Sequence, residues 1–457
     1  MTLVVAALVL AVVAGLTVVA WTDGRLNDLI CDDGECGASA LSTPDAMDRG
    51  TTPAAATVPA AADARVDADA VEKAVRSALA DDALGEHVGF AAVDPVTRAV
   101  AGSVGSGGFV PASTTKLLTG LAALTELDPQ SRFATRVVSS GDRIVLVGGG
   151  DPYLATKRPK KPVYAMKADL TTLAKRTAAA LKKDGRTSVR LGYDASLFTG
   201  PGASPAWESD YVSADIVTRV SALWADQGVE GGGRVDDPAA AAARTFARLL
   251  GDRGIDVTGD VTETEAGGDT LVAQVRSATV ARIVESMITH SDNQAAEVLL
   301  RHVGAAAGGK ASFEGGAAAV KKVLERLDVD TSDLVLTDGS GLSRKNRISP
   351  TTLAETVAAA MTSPRTAGLA ADLAVGGFTG TLKGRFDTAK DGRGAVRGKS
   401  GTLTGVHSLA GYVTDRTGTP IVFAVMTDRT SAINGFVTQA ALDRVAAALA
   451  KCSCSGG

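Results

Sequence analysis

The longest apolar run of the chain lies near its beginning. Residues 3–21 contain no charged side chain. At about 1.5 Å per residue they are just long enough to cross a bilayer as a helix. We interpret residues 1–22 as an uncleaved transmembrane anchor, with a cleaved signal peptide as the alternative. Only Met1 and Thr2 precede the run, so the positive-inside rule does not orient it directly.

Helical spacing of apolar residues recurs further along the chain. Leu117, Leu121 and Leu124 stand at positions i, i+4 and i+7 with small residues elsewhere, which predicts a helix buried on most sides. Residues 280–288 carry a second stripe of large apolar side chains, and residues 437–450 predict a closing helix.

Strand patterns occur both before and after these helices. Residues 88–103 predict two short strands around a turn, and residues 402–413 predict a strand that pairs with residues 421–427 as a hairpin. Strand and turn patterns also dominate residues 136–275, which we interpret as a separate lobe. Helices combined with an antiparallel hairpin indicate an α+β fold.

Composition and charge narrow the class of protein. The chain has 457 residues, 45% of them hydrophobic, which is enough for two or three domains with cores. Residues 37–66 are rich in Ala, Thr and Pro without apolar periodicity and predict a flexible tether. The net charge of −4 gives no reason to expect nucleic-acid binding. We interpret the basic run at residues 157–162 as a solvated loop, with contact to an anionic polymer as the alternative.

The four cysteines lie outside the predicted body. Cys31 and Cys36 precede the tether, and Cys452 and Cys454 stand near the end of the chain. Their spacing is a poor match to the paired C-x2-C of zinc sites. In an exported chain we expect disulfides, with bonds between the two ends as one possibility. No cysteine is expected to be catalytic, and we expect neither a metal nor a cofactor.

A serine and a lysine open the first predicted helix. A serine hydroxyl is a weak nucleophile and needs a nearby base. Residues three apart on a helix have Cβ atoms about 5–6 Å apart, so the Lys116 amine can reach the Ser113 oxygen. Burial and a second cation would lower the lysine pKa enough to make it a usable base. Helix capping by Ser113 is the structural alternative.

A second polar motif follows the apolar stripe at residues 280–288. In Ser291-Asp292-Asn293, a hydroxyl and an amide could pass protons and hold a substrate carbonyl. All three residue types also begin helices, so capping is the alternative.

A third motif lies in GRGAVRGKSGTLTG, residues 392–405. Its Gly-Lys-Ser resembles a phosphate-binding loop, but Arg393 stands where that loop needs a glycine, and a strand pattern follows. We therefore place Lys399 and Ser400 on a sheet edge. There Lys399 would present a cation to a substrate carboxylate, and Gly401 would permit close approach. The alternative is a glycine turn beside an ordinary surface lysine.

The three motifs occur in one order and in the expected helix, loop and strand settings. Together they resemble the motif set of penicillin-binding proteins and serine β-lactamases. The segments LVGGGDPYL (146–154), YDASLFTGP (193–201) and TDGSGLSRKNRISP (337–350) are similar to those of the class C low-molecular-mass penicillin-binding proteins, the D-alanyl-D-alanine carboxypeptidase/endopeptidases. Ser400 departs from the pattern, since that subgroup commonly has Thr there.

The resemblance implies an α+β fold with a β-lactamase/transpeptidase-like domain, in which an antiparallel sheet is flanked by helices. The subgroup inserts extra domains between the first two motifs, which agrees with the lobe inferred above. We therefore divide the chain into an anchor (1–22), a Cys-containing segment and tether (23–66), a catalytic domain (67–135 and 276–450), an inserted lobe (136–275) and a Cys-containing tail (451–457).

The resemblance also implies a function for each motif. Ser113 attacks the carbonyl between two D-alanines of a peptidoglycan stem and forms an acyl-enzyme, with Lys116 as the base. Ser291 relays a proton to the leaving amine, and Asn293 positions the substrate amide. Lys399 fixes the terminal carboxylate. The implied substrate-binding residues are Ser400, Gly401, Thr402, Leu403, Thr404, Arg344 and Asp210; the last two would grip the free end of a diamino-acid side chain.

Two aspartates and one histidine are expected to have structural roles. Asp151 and Asp338 sit in glycine turns and are expected to shape the backbone rather than to touch substrate. Of the four histidines, only His290 is expected near the site, in a packing role.

Two other functions stay open from the sequence. A serine β-lactamase would share the acylation step, although no Glu stands in a setting that clearly activates a deacylating water. A non-catalytic wall-binding or sensor protein would keep the cleft without the reaction. The intact motifs argue against this alternative. We expect peptidoglycan peptides as substrates, β-lactams as inhibitors, and a location at the extracytoplasmic face of the bacterial membrane, anchored there or secreted if the first segment is cleaved.

Overall fold

The computed structural model describes residues 65–159, 165–267 and 270–456. These residues belong to one compact unit. The predicted anchor and all of the predicted tether except Arg65 and Val66 lie outside the described ranges. Within those ranges, no helix combines the length and the apolar composition that crossing a bilayer requires.

Helices and strands occur along the whole of the described chain. The helices are α1 Ala68–Leu79, α2 Thr115–Glu126, α3 Leu170–Lys183, α4 Pro238–Gly251, α5 Val280–His290, α6 Asn293–Ala306, α7 Phe313–Arg326, α8 Pro350–Met361, α9 Gly368–Ala371 and α10 Gly435–Lys451. The strands are β1 Arg65–Val66, β2 Val88–Val93, β3 Val100–Val104, β4 Arg132–Ser140, β5 Arg143–Val147, β6 Ser188–Asp194, β7 Val229–Glu230, β8 Gly233–Arg234, β9 Asp256–Val257, β10 Thr262–Glu263, β11 Thr270–Thr279, β12 Ala374–Val375, β13 Val396–Leu403, β14 Val406–Thr414, β15 Pro420–Thr427 and β16 Ser455–Gly456.

A six-stranded antiparallel sheet forms the centre of the catalytic part, with strand order β12-β13-β14-β15-β2-β3. Successive side chains of a strand point to opposite faces. On β15, Val422 and Ala424 therefore join the apolar cluster that contains residues of α2, α5 and α6. Phe423 and Val425 join the cluster formed with α1 and α10. Helices thus cover both faces of the sheet, and the predicted α+β fold is confirmed.

A second sheet lies between α2 and α5 in sequence. Its strand order is β10-β6-β5-β4-β11, with β9 also beside β6. Strand β4 pairs antiparallel with β5 and β11, whereas β5 and β6 are parallel. Leu173 of α3 and Phe246 of α4 pack with Leu146 and Leu191 in a separate apolar cluster. The predicted lobe limits, 136 and 275, fall inside β4 and β11, so the sheet continues beyond both.

The predicted strand at residues 402–413 is interrupted in the structure. Strand β13 ends at Leu403, β14 begins at Val406, and the two pair as an antiparallel hairpin. Gly405 has a φ of 71°, a left-handed conformation that glycine adopts without a steric penalty. The hairpin places the third motif beside a second buried strand.

The last cysteines pair with each other. Cys452 and Cys454 form a disulfide, so the idea that they bond to Cys31 or Cys36 is wrong. Both N-terminal cysteines lie outside the described ranges. The tail meets the beginning of the body through backbone bonds instead: β1 pairs with β16, and Asp67 N donates to Cys454 O at 2.7 Å.

Candidate active site

Ser113 and Lys116 lie at the start of α2. Ala112–Thr114 forms one turn of 3-10 helix, which runs directly into α2. Lys116 Nζ donates a hydrogen bond to Ser113 Oγ at 2.9 Å. The residue that caps α2 is Thr114, and it makes no side-chain capping bond. The capping alternative for Ser113 is therefore wrong.

Lys116 is fully buried and holds three acceptors. Besides Ser113 Oγ, its Nζ donates to Asn293 Oδ1 and to Ser340 O, both at 2.7 Å. An ammonium carries three donors, so the protonated amine is fully bonded. Burial lowers the pKa of Lys116 to about 8, while neighbouring carboxylates, led by Glu297, oppose this shift. A neutral amine that can accept the Ser113 proton is thus accessible near neutral pH.

A second buried lysine lies on β13. Lys399 Nζ donates to Ser291 Oγ at 2.9 Å and to Ser400 O at 2.7 Å. Lys399 is only 1% exposed, so the surface-lysine alternative is wrong. Burial, and then the charge on Lys116, hold the pKa of Lys399 well below its usual value.

The Ser-x-Asn motif forms the junction of α5 and α6. Ser291 ends α5 with left-handed angles (φ 58°, ψ 40°), and Asp292 caps α6 by accepting from Ala295 N at 2.9 Å. The capping alternative is therefore right for Asp292, whereas Ser291 and Asn293 bond to the two lysines. The structure thus brings together all five predicted catalytic residues, Ser113, Lys116, Ser291, Asn293 and Lys399.

The inserted lobe reaches this junction. Gln227 Nε2 donates to Asp292 Oδ2 at 2.8 Å. Gln227 has a φ of 55°, so a tight turn of the lobe presents its side chain to the motif. The lobe therefore contacts the residue between Ser291 and Asn293.

Strand β13 lies against the turn that carries Ser113. A Cβ atom added at Gly401 would stand 2.6 Å from Pro111 O and 3.0 Å from Ser113 N. Ser408, opposite Gly401 on β14, donates to Pro111 O at 2.7 Å. The glycine thus permits the close approach of the turn that carries Ser113, and Ser408 is a contact that the motifs did not include.

The remaining predicted residues of the third motif extend along β13. Ser400 Oγ donates to Thr381 Oγ1 at 2.9 Å, Thr402 is exposed, and Leu403 is half-buried. Strand β12 pairs with β13 only at residues 397 and 398. On that side, and among the described residues, 399–403 have no strand partner, which agrees with the predicted sheet edge.

Arg344 lies beside the end of β13. Its Nη2 donates to Thr404 O at 2.9 Å, and its Nε is 4.0 Å from Glu208 Oε1. Burial raises the pKa of the Tyr211 phenol. The charge on Arg344 lowers this pKa, whereas the charges on Glu208 and Asp210 raise it further. Asp210 itself is exposed. Both predicted residues thus lie near Tyr211, which the sequence gave no reason to single out.

Glu297 is a buried acid that the motif analysis missed. Its two carboxylate oxygens accept from Gly339 N at 2.9 Å and Ser340 N at 2.8 Å. Burial, with the Asp338 charge acting in the same direction, raises the pKa of Glu297 to about 8. The residue lies one helical turn after Asn293 on α6, and this i, i+4 spacing was the available signal.

Asp338 and Asp151 shape the backbone, as expected. Asp338 is buried, and its carboxylate accepts from Trp207 Nε1 at 2.9 Å and from Gly341 N at 3.0 Å. Asp151 Oδ1 accepts from Tyr153 N at 2.9 Å. Burial raises the pKa of Asp151 to about 7.

His290 adjoins Ser291, and His407 stands across the hairpin from the third motif. His290 Nδ1 lies 3.1 Å from Ser286 O of its own helix, in keeping with a structural role. His407 is buried on β14 directly opposite Thr402. Within the described ranges, no group of three or more His, Cys, Asp or Glu side chains is arranged to hold a metal ion.

Fold and site together define a serine hydrolase of the penicillin-binding type. A profile of the D-Ala-D-Ala carboxypeptidase 3 (S13) family matches residues 71–231 and 229–449. The chain belongs to this family, which confirms the resemblance inferred from the motifs, and it is a D-Ala-D-Ala carboxypeptidase.

Several known proteins are similar to this chain over most of its length. Carboxypeptidase Rv3627c of Mycobacterium tuberculosis is 34% identical over 361 residues, which cover 76% of this chain and 76% of the relative. Carboxypeptidase DacB of Mycolicibacterium smegmatis is 34% identical over 359 residues, covering 75% and 76%. The crystal structure of penicillin binding protein 4 (dacB) from Haemophilus influenzae has a TM-score of 0.69 at 21% identity, covering 83% of this chain and 98% of that one. At 21% identity, this similarity shows a shared fold.

Proposed function

We propose that this carboxypeptidase cleaves the D-alanyl-D-alanine ends of peptidoglycan stem peptides, and cross-links between them, through an acyl-enzyme on Ser113. The observation that carries the proposal is the contact of 2.9 Å between the buried Lys116 Nζ and Oγ of the half-buried Ser113. A buried amine with a lowered pKa is the base that a serine nucleophile requires.

Acylation begins with the neutral form of Lys116. Ser113 Oγ attacks the carbonyl carbon between the two D-alanines, and its proton passes to Lys116 Nζ. The carbonyl oxygen becomes an oxyanion held by the backbone N–H groups of Ser113 and Thr402. The closeness of β13 to the Ser113 turn supports this arrangement, because it brings the two N–H groups to one side of the substrate.

The second half-step expels the amine. As the C–N bond breaks, the departing nitrogen takes a proton from Ser291 Oγ, which Lys399 replenishes across their 2.9 Å contact. Asn293 holds the substrate amide. Water then attacks the ester carbon by the same route in reverse, and the acyl group leaves Ser113.

Substrate lies along the open edge of β13. Residues 399–403 offer an unpaired backbone there, which supports addition of the stem peptide as an extra strand. Lys399 fixes the terminal carboxylate, and an arriving carboxylate raises the pKa of that lysine. At the far end, Arg344 and Asp210 grip the diamino-acid side chain beside Tyr211.

We propose that the enzyme works outside the cytoplasm, held to the membrane by residues 1–22. The uncharged run at residues 3–21 supports this, as does the tether that follows it. Membrane fractionation of the expressing bacterium, followed by mass measurement of the mature chain, separates an anchor from a cleaved signal. Recovery of the full-length chain in the cytosol would contradict both.

Defined stem peptides test the reaction. The purified chain is incubated with monomeric and cross-linked muropeptides, and the products are read by mass spectrometry. We expect loss of one D-alanine from the pentapeptide and cleavage of the cross-linked dimer. Binding without release of any product would support the non-catalytic alternative instead.

Lys399→Ala tests the carboxylate assignment within the same assay. We expect cleavage of peptides with a free terminal carboxylate to fall at least about 100-fold, because a buried charge-assisted contact is lost. Peptides whose terminal carboxylate is amidated should lose less. Equal losses on both substrates would contradict the assigned role of Lys399.

A further inference from the structure

A concave surface on the second sheet concentrates positive charge. A cavity of about 330 Å³ lies between the beginning of α3, strand β11 and the side chains of Arg158 and Lys167. Its lining includes four cations, Arg158, Lys167, Arg176 and Arg276, which we name the basic cleft. No catalytic or substrate-binding residue discussed above lines it.

The charge of the basic cleft is not neutralised by its one lining acid. Asp169 is 3% exposed, and its oxygens accept from the backbone N–H and the hydroxyl of Thr172 at 2.6 and 2.8 Å. This carboxylate therefore serves as the cap of α3 and is shared with Thr172. One carboxylate against four cations leaves an excess of three positive charges in the lining.

The four cations also lack ion-pair partners in the part of the chain that the structure describes. Arg176 Nη1 donates to a neutral acceptor, Gln274 O, at 2.7 Å. Clustering like charges without a counter-ion is unfavourable, and the chain as a whole is negative, with a net charge of −4. The cleft is therefore a local concentration of charge rather than an average property of the surface.

We propose that the basic cleft binds the phosphate groups of an anionic ligand, separately from the active site. Guanidinium groups present paired N–H donors that match phosphate oxygens, and three of the four cations are arginines. The concave shape suits a compact group such as a phosphate. The lining has no aromatic side chain on which a nucleic-acid base could stack.

Such a site would hold the enzyme near its polymeric substrate. Binding at a second point raises the effective concentration of the catalytic cleft at a surface without adding a contact to the reaction itself. The phosphate could belong to a soluble or wall-bound polyanion or to a lipid headgroup, since the recognising chemistry is the same.

Titration calorimetry of the full chain with tripolyphosphate tests the site. We compare the wild type with a double variant, Lys167→Gln with Arg276→Gln, and with a control that also removes two surface charges, Arg219→Gln with Lys322→Gln. We expect the first pair to weaken binding at least tenfold and the control less than twofold at the same low salt. Both variants should release D-alanine from a small stem peptide at the wild-type rate.

A second arm identifies the source of the phosphate. Sedimentation with vesicles, with and without an anionic phospholipid, is compared between wild type and the first double variant, because both carry the same apolar N-terminal segment. If the two proteins differ only with anionic vesicles, the ligand is a lipid headgroup. If they sediment equally with those vesicles, while the double variant has lost tripolyphosphate binding, the ligand is a polyanion.

Three results would overturn the proposal. The first is an absence of wild-type binding to tripolyphosphate, together with equal sedimentation of wild type and the first double variant with anionic vesicles. The second is equal weakening by the control pair, which would mean that net charge alone matters. The third is equally tight binding of citrate, which would contradict selectivity for phosphate.

Discussion

At Lys116, burial and charge act in opposite directions. Removal from water favours the neutral amine, whereas nearby carboxylates favour the ammonium, and burial wins. The outcome is a pKa of about 8, well below the usual value of 10.5. An unperturbed lysine would be almost wholly protonated at pH 7, so burial is what makes this residue usable as a base.

The rate of acylation should therefore depend on pH in a definite direction. Below the Lys116 pKa the amine holds its proton and cannot accept another, so the rate should fall about tenfold per pH unit. Above that pKa the rate should level off. Stopped-flow acylation by a penicillin between pH 5.5 and 9.5 measures this, with a midpoint expected near 8. A rate independent of pH between 6 and 8 would contradict Lys116 as the base.

Glu297→Gln should move this profile. In its ionised form Glu297 is the leading interaction that raises the Lys116 pKa, so its removal should shift the midpoint to lower pH. Gly339 N or Ser340 N loses its acceptor in this variant, which costs about 1–3 kcal/mol of unfolding free energy. Removal of an acid whose pKa burial raises to about 8 offsets part of that cost.

Glu314→Gln is the matched control for that variant, since Glu314 is an exposed residue in the first turn of α7. It should leave the midpoint unchanged. An unshifted midpoint in Glu297→Gln, with the fold intact by circular dichroism, would show that the carboxylate does not act on Lys116.

Strand β13 and the turn before α2 are so close at Gly401 that no side chain fits between their backbones. Gly401→Ala would place a methyl group 2.6 Å from Pro111 O, closer than real Cβ contacts come. We expect the strand to shift away from Ser113 and acylation to slow at least about 100-fold, because small misplacements of catalytic groups are costly.

Gly398→Ala on the same strand is the control for this change. Its Cβ would meet the flexible Leu409 side chain at 3.0 Å, so repacking can relieve the contact. Stability should fall while the acylation rate changes less than tenfold. Comparable acylation by the Gly401→Ala variant and the wild type would refute the need for close approach.

Local pattern was sufficient to predict several elements but not their contacts. The leucine spacing located α2, and the residue types of the third motif placed Lys399 on a strand. Two of the three acceptors of Lys116 come from α6 and from the loop at residue 340, and no local periodicity predicts these distant partners. Ser408 escaped notice for the same reason, since only strand pairing brings it opposite Gly401.

For the molecule as a whole, sequence spacing predicted an inserted lobe but not what it touches. The second sheet has its own apolar cluster. Gln227 of the same lobe nevertheless donates a hydrogen bond to Asp292, the middle residue of the second motif. The lobe therefore contributes to the junction that holds Ser291 and Asn293. The idea of a disulfide between the chain ends failed because Cys452 and Cys454 lie close enough to pair with each other.

The mechanism requires Ser113 to be the residue that is acylated. The direct measurement is mass spectrometry of the peptides of the full chain after brief exposure to a penicillin. We expect a mass increase of one penicillin on the peptide that contains Ser113, and none in a Ser113→Ala variant that unfolds at the wild-type temperature. An adduct on any other residue, or one that persists in the variant, would contradict it.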